Sequence, residues 1–235
     1  YIIPINKGKF DIAVKASGDF MLYFDSPNTN EVKNLIKARE IWDQFIEGNY
    51  KTAEPGIIFW STMSDYSPSN YVGKPIICTN PCAEVPLEDG GACNLGSINL
   101  SRFVKDGFTP EASIDWDQLA ESSETLVRFL DNVVTWNEDL NALPKQRQAA
   151  SETRRLGLGV MGIADMLNQL GVAYDSEQGT MMIEKVMEYI TNASYQASSF
   201  IAKEKGASSI FDEEAYMECP FVKEALSEQT HNMIR

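Results

Sequence analysis

The chain has a single histidine among 235 residues. That scarcity weakens every chemistry built on imidazole. A Ser-His-Asp or Cys-His nucleophile system would have to take its base from His231 alone. Structural zinc sites usually show two short Cys-x-x-Cys-like pairs. Of the four cysteines, only Cys78 and Cys82 lie close together. A Cys78, Cys82, Cys93 and His231 ligand set is disfavoured further by Pro81 and by the long gap to His231. Basic charge is also scarce: 20 Lys and Arg stand against 34 Asp and Glu, a net charge of −14. A nucleic-acid backbone needs a basic stripe, so this balance argues against such a partner. It leaves room for one nucleotide in a small pocket. No apolar run approaches a membrane span, and no charged-then-apolar leader is seen. Internal repeats, low-complexity tracts and long linkers are lacking too. Four cysteines are too few for a disulfide framework in a chain this long, which points to the reducing cytoplasm.

What remains is an ordinary globular composition, 43% hydrophobic and 23% charged. It suffices for one large core or two small ones. The chain starts at Tyr1 and not Met, opens on the apolar run Tyr1-Ile2-Ile3-Pro4-Ile5, and stops at Met233-Ile234-Arg235. We expect a segment of a longer protein, the alternative being a processed N-terminus.

Residues 10–15 alternate apolar and polar, as a half-buried strand does. Val32, Leu35, Ile36, Ile41, Trp42, Phe45 and Ile46 recur at helical spacing over 31–52, with Asn30 as cap and Pro55-Gly56 as stop. Residues 57–60 read as a buried strand or a helix start, and 66–74 as a loop. Strands are expected at 75–79, 92–100 and 156–161, with a turn at 88–91. Pro81 and Pro86 keep the segment after the first strand from being helical. An amphipathic helix is predicted over 116–137, with Leu119, Leu126, Val127, Leu130, Val133 and Val134 inward. Another covers 162–170, stopped by Gly171. A long one covers 176–205, capped by Ser176 and ended by Gly206. Its stripe is Met182, Ile183, Val186, Ile190, Ala193, Ala197, Phe200 and Ile201. A short helix follows at 220–227. Strands alternating with helices imply an α/β domain.

Chemistry concentrates in Asn80-Pro81-Cys82-Ala83-Glu84. An amide able to hold a hydroxyl and a carboxylate able to take its proton flank a thiol. If the segment is extended, positions i, i+2 and i+4 face one ligand. Cys93 follows in Gly-Ala-Cys-Asn-Leu-Gly-Ser. A lone cysteine is more often a small buried hydrophobe, but so many polar groups around Cys82 would need partners if buried. Cys219 reads as a structural or surface thiol. Gly157-Leu158-Gly159-Val160-Met161-Gly162 matches the dinucleotide-binding glycine pattern, but the polar residues 151–155 supply no strand before the first glycine. Close strand–helix packing explains those glycines better.

Residues 77–87 with 90–100, from Ile77-Cys78-Thr79-Asn80-Pro81-Cys82-Ala83-Glu84 through Gly91-Ala92-Cys93-Asn94-Leu95-Gly96-Ser97, resemble the finger loop and following strand of ribonucleotide reductase catalytic subunits. Arg154-Arg155-Leu156-Gly157-Leu158-Gly159-Val160-Met161-Gly162 is similar to that family's downstream strand, turn and helix. Ala53-Glu54-Pro55-Gly56-Ile57-Ile58-Phe59-Trp60 fits its upstream segment. The resemblance runs from about Phe10 to the end. It implies an α/β fold, part of a ten-stranded barrel of two five-stranded halves with a cysteine-bearing loop threaded through its centre. Residues 1–235 are then a barrel segment incomplete at both ends.

The same resemblance implies the reduction of ribonucleoside di- or triphosphates to deoxyribonucleotides. Cys82 carries a thiyl radical that abstracts the ribose 3′-hydrogen, Glu84 takes the 3′-hydroxyl proton, and Asn80 holds ribose hydroxyls. Cys93 is one half of a reducing dithiol whose other half lies before Tyr1. A phosphate-cradling turn is expected after Arg235, and an allosteric nucleotide site in the missing N-terminal part. Asn-Pro-Cys with a short gap to the second cysteine favours the adenosylcobalamin-dependent class, the alternative being a radical from a separate metal-containing subunit. Implied partners are the rest of the catalytic subunit, a thioredoxin- or glutaredoxin-like dithiol reductant, and a second copy in a homodimer. The competing reading is an inactive scaffold that retains the barrel core. The intact Asn80, Cys82 and Glu84 set argues against it.

Overall fold

The computed structural model describes residues 2–6, 10–14, 20–23, 36–53 and 57–235, and side chains over 42–53 and 58–235. The chain divides into two compact units, Tyr1–Tyr66 and Ser67–Arg235.

In the first unit, β1 (Ile2–Asn6), β2 (Phe10–Val14), β3 (Phe20–Tyr23) and β4 (Ile57–Ile58) form one sheet in that order. β1, β2 and β3 are antiparallel neighbours. β4 lies parallel to β3, with Leu22 opposite Ile57. Parallel neighbours need a crossover, because the chain must return to the same end of the sheet. Helix α1 (Ile36–Thr52) lies in that connection. The apolar run at 57–60 proves to be both things it resembled: a two-residue strand, then helix α2 (Trp60–Asp65). The expected cap at Asn30 and stop at Pro55-Gly56 lie outside the described residues.

The second unit is built on a parallel pair. β7 (Asn94–Asn99) runs beside β10 (Leu156–Met161), from Asn94 opposite Leu156 to Asn99 opposite Met161. Between them the chain crosses over through α4 (Trp116–Asn137) and α5 (Pro144–Thr153). Asp115 caps α4, its Oδ1 accepting from the Gln118 N–H at 3.2 Å. After β10 come α6 (Ile163–Gln169) and the long α7 (Glu177–Lys205). The Ser176 hydroxyl accepts from the Gly179 N–H at 3.0 Å, which caps α7 as its sequence required. Ile98, Leu100, Leu119, Met166, Leu167, Val172, Val186 and Ile190 meet in one buried cluster. It joins both strands' inner faces to α4, α6 and α7. Burial of that apolar surface, at ~25 cal/mol per Å², is the main force holding the layer together.

Several expectations need correction. The 66–74 loop contains a short helix, α3 (Pro68–Tyr71), because Ser67 is extended and Pro68 sits at the first helical position, where its lost N–H costs nothing. The 75–79 strand narrows to β5 (Cys78–Thr79). Phe200, assigned to the inward stripe of α7, is 54% exposed, while Ala197 and Ile201 beside it are buried. Helix α5 follows the same proline rule at Pro144 and was not foreseen. Neither were the hairpin of β8 (Val104–Lys105) with β9 (Ser113–Ile114), nor α8 (Glu213–Met217) and α10 (Glu228–Ile234). The predicted 220–227 helix is α9 (Pro220–Ala225). The unit is mixed α/β, but no closed barrel is formed by the described strands. No described helix is long and apolar enough to cross a membrane.

Candidate active site

β5 pairs antiparallel with β6 (Pro86–Leu87), Cys78 opposite Leu87 and Thr79 opposite Pro86. Residues 80–85 are therefore the tip of a hairpin. Asn80 closes it three ways. Its N–H donates to the Val85 carbonyl at 3.2 Å, and its carbonyl accepts from the Ala83 N–H at 3.0 Å. Its side-chain Oδ1 accepts from the Val85 N–H at 3.0 Å. Ala83 takes a left-handed φ of 66°, sparsely populated for a residue with a Cβ.

The tip is thus a closed turn and not an extended strand, so the alternation argument for Asn80, Cys82 and Glu84 does not apply. The three share one tight turn at the hairpin tip. Asn80's side-chain oxygen is committed to the backbone, which leaves its amide N–H groups as donors toward a ligand hydroxyl. Cys82 and Glu84 are both exposed at the tip.

Cys93 is half-buried one residue before β7, and its thiol donates to the Asn94 carbonyl at 3.4 Å. Burial pushes this thiol above its ordinary pKa. The Arg155 guanidinium works against that rise, while the Glu88 and Glu84 carboxylates add to it.

All four cysteines are free thiols. Cys78, on the hairpin strand, is pushed up by burial and by Asp89 and Glu88. Cys219 is completely buried with Val222 and Leu226, so it is a core residue and not a surface thiol. The His231 Nε2 lies 2.6 Å from the Val222 carbonyl. Among the described residues no three His, Cys, Asp or Glu side chains gather as metal ligands.

The glycine pattern is not a phosphate turn. Gly157 and Gly159 lie inside β10, and only Gly162 stands at the junction with α6, at a left-handed φ of 73°. A Cβ on Gly157 would stand 2.2 Å from Leu95 Cδ2 and 3.0 Å from the Cys93 sulfur. Close packing of β10 on the segment around Cys93 accounts for that glycine.

Sequence reasoning missed the polar residues beneath the hairpin. Glu88, read only as part of a turn, is 3% exposed. It pairs with Arg155, Nη2 to Oε2 at 2.6 Å, and accepts from the Thr153 hydroxyl at 2.9 Å. The available signal was the acid pair Glu88-Asp89 directly after Val85-Pro86-Leu87, with Arg154 and Arg155 as cations it could reach.

Residues 19–233 match the ribonucleotide reductase barrel-domain family. The chain is 42% identical over 207 residues to a vitamin B12-dependent ribonucleoside-diphosphate reductase of Thermoplasma acidophilum, covering 84% of this chain and 26% of that one. It is 37% identical over 191 residues to the protein so named in Mycobacterium tuberculosis, covering 81% and 26%. The chain therefore spans about a quarter of the length of these curated relatives. Among solved structures, the Actinobacillus ureae class Id ribonucleotide reductase alpha subunit superposes with a TM-score of 0.62 at 23% identity, over 76% of this chain and 34% of that one. That likeness bears on the fold. With the match extending over nearly all of its length, the chain belongs to the ribonucleotide reductase barrel-domain family.

Proposed function

We propose that this chain carries the radical chemistry of a ribonucleotide reductase, the reduction of ribonucleoside diphosphates to deoxyribonucleotides. The observation that supports the reading is the hairpin tip, where an exposed thiol and an exposed carboxylate sit on one turn closed by Asn80. The substrate class follows the names of the two relatives, both ribonucleoside-diphosphate reductases. The barrel is proposed likewise. The parallel β7–β10 pair supplies part of a ten-stranded wall, and the β5–β6 hairpin is the loop that enters it.

In this mechanism the Cys82 sulfur, as a thiyl radical, takes the 3′-hydrogen atom of the ribose. Glu84 takes the 3′-hydroxyl proton, and the 2′-hydroxyl departs as water. Cys93 and a second cysteine outside this chain supply the two electrons and two protons and become a disulfide. The net change is ribonucleotide plus dithiol to deoxyribonucleotide, disulfide and water. Asn80 donates to a ribose hydroxyl through its amide nitrogen. The site must exclude water and stray reductants while the radical persists, which a closed barrel would do.

The radical source proposed is adenosylcobalamin, after the names of the same relatives. Cys82 fits it, because its thiol is exposed at a hairpin tip, where a bulky radical source can approach. When bound, this cofactor supplies the one-electron chemistry that removes a hydrogen atom from a thiol. A dithiol reductant of the thioredoxin or glutaredoxin kind regenerates the Cys93 thiol, and the full protein acts as a homodimer.

The test is a pair of substitutions in the full-length enzyme. Cys82→Ser abolishes turnover with any reductant, since an alcohol does not form an equivalent low-energy radical. Cys93→Ser stops repeated turnover yet leaves hydrogen abstraction at Cys82 intact. Normal catalysis by Cys82→Ser protein would refute the reading.

A further inference from the structure

The polar residues beneath the hairpin have no part in the mechanism so far. Glu88 directly follows β6, and Arg155 directly precedes β10. Their ion pair, at 2.6 Å, ties the base of the hairpin to the strand beside Cys93. The Glu88 side chain is buried, 4% exposed, and the Arg155 side chain is partly buried, 19% exposed. Arg155 Nε also donates to Glu88 Oε2 at 3.2 Å, and its Nη2 donates to the Ser69 hydroxyl at 3.1 Å. Thr153, at the end of α5, donates to the other carboxylate oxygen at 2.9 Å.

Two glycines make room for this arrangement. A Cβ on Gly91 would stand 2.8 Å from the Glu88 carboxyl carbon, and one on Gly157 3.0 Å from the Cys93 sulfur. A buried ion pair contributes little net stability compared with a well-packed apolar pair. Arg155 directly precedes Leu156, which lies opposite Asn94, the residue after Cys93. Gly157, two positions on, packs against the Cys93 sulfur. The pair is thus anchored beside a half-buried thiol and has a use other than holding the fold.

Resting on the reading of Cys93 as a redox thiol, we propose that Arg155, aimed by Glu88, is a positioning residue that stabilises the Cys93 thiolate when an external dithiol breaks a Cys93 disulfide. In that step a thiolate of the reductant attacks the partner sulfur. The Cys93 S–S bond breaks, a mixed disulfide forms, and the electron pair leaves on Cys93, which then takes a proton. A leaving thiol departs faster when its thiolate is stabilised. Burial and two carboxylates, Glu88 and Glu84, oppose that charge, and Arg155 is the group that favours it. Glu88 sets how much of the Arg155 charge reaches the sulfur.

Alkylation of Cys93 by iodoacetamide, followed against pH by peptide mass spectrometry in the full-length enzyme, tests the proposal. Arg155→Gln is expected to move the inflection up by about half a pH unit or more, since a supporting cation is lost. Arg155→Lys keeps it closer to wild type. Glu88→Gln moves it down, because a carboxylate is removed and Arg155 is released toward the sulfur. Opposite shifts support a role through charge. A merely structural pair would loosen the site when either member is changed, and both variants would then shift down toward an ordinary thiol. That result, or no shift in either variant, overturns the proposal. The titration is independent of turnover, so it fails separately from the Cys93→Ser test of the redox reading.

Discussion

Asp131 pairs with two cations in the second unit, and its replacement tests how that unit is held together. It lies on α4 and is 6% exposed. Its Oδ1 accepts from Arg154 Nε at 2.8 Å and Nη2 at 2.7 Å. Its Oδ2 accepts from Lys205 Nζ, near the end of α7, at 2.6 Å. Asp131→Asn keeps the shape but removes the charge and turns an NH2 group toward a cation. Breaking one side of a buried ion pair costs about 3–5 kcal/mol. Here the cations retain other partners. Arg154 keeps Glu138 at 3.1 Å, the Thr135 hydroxyl at 2.7 Å and the backbone carbonyl of residue 131 at 3.0 Å. Lys205 keeps Asn132 at 3.0 Å. The loss therefore falls to about 2–3 kcal/mol, below the full penalty for a stranded charge.

Amide hydrogen exchange in α4 and α7 reads this directly, because it reports opening of one region within a larger protein. A loss of that size accelerates exchange by roughly 30- to 150-fold. The pH dependence has a definite sign. Burial alone would raise the Asp131 carboxyl, but hydrogen bonds and charge from Lys205 and Arg154 hold it below its ordinary value. Its stabilising effect is thus fully present above the unfolded value of about 3.9 and disappears as pH falls through the depressed folded value. The gap in urea midpoint between wild type and Asp131→Asn closes over that acid range. An acceleration of less than about threefold at neutral pH, well under 1 kcal/mol, would refute the reasoning. So would a gap that persists undiminished below the depressed value.

Glu84→Gln retains shape and a hydrogen bond but not the base, and should slow turnover by roughly 10²–10⁴-fold with hydrogen exchange unchanged. A near-normal rate removes Glu84 from the mechanism. Gly157→Ala should destabilise by about 1–3 kcal/mol, because the new methyl meets the Asn94 carbonyl and the Cys93 sulfur, which do not yield as the exposed Leu95 tip does. An unchanged denaturation midpoint would show that β10 has more room beside Cys93 than the structure gives it.

What the sequence revealed, and what it hid, follows the range of the interactions involved. The limits of α4, β10 and α7 were legible because each rests on local chemistry. Asp115 and Ser176 cap from the residues just before the helices, and Gly206 ends α7 at a φ of 90°. The inward stripe of α7 was legible for the same reason, apart from Phe200 at its edge. The candidate residues at 80, 82, 84 and 93 stood out by type and spacing. Their geometry did not. Asn80 spends its side-chain oxygen on the Val85 N–H, a turn-closing bond that no alternation rule contains.

The supports of the site were hidden because they are long-range and polar. Glu88 and Arg155 are 67 positions apart and meet only once β10 lies along β7. Arg154 and Arg155 close the polar stretch 151–155, and nothing in that stretch tells them apart, yet the structure sends them to different anchors. Arg154 sits at a left-handed φ of 46°, as the cap of α5, and reaches Asp131 on α4. Arg155, one residue on and entering β10, reaches Glu88 under the hairpin. The strained residue between helix and strand is thus what separates the two guanidinium groups. One binds the scaffold and the other the base of the hairpin that carries Cys82. Arg154→Ala should therefore shift the pH profile of Cys93 alkylation although Arg154 bonds none of the thiols, because Arg155 is placed by the same turn, and an unchanged profile would refute the link.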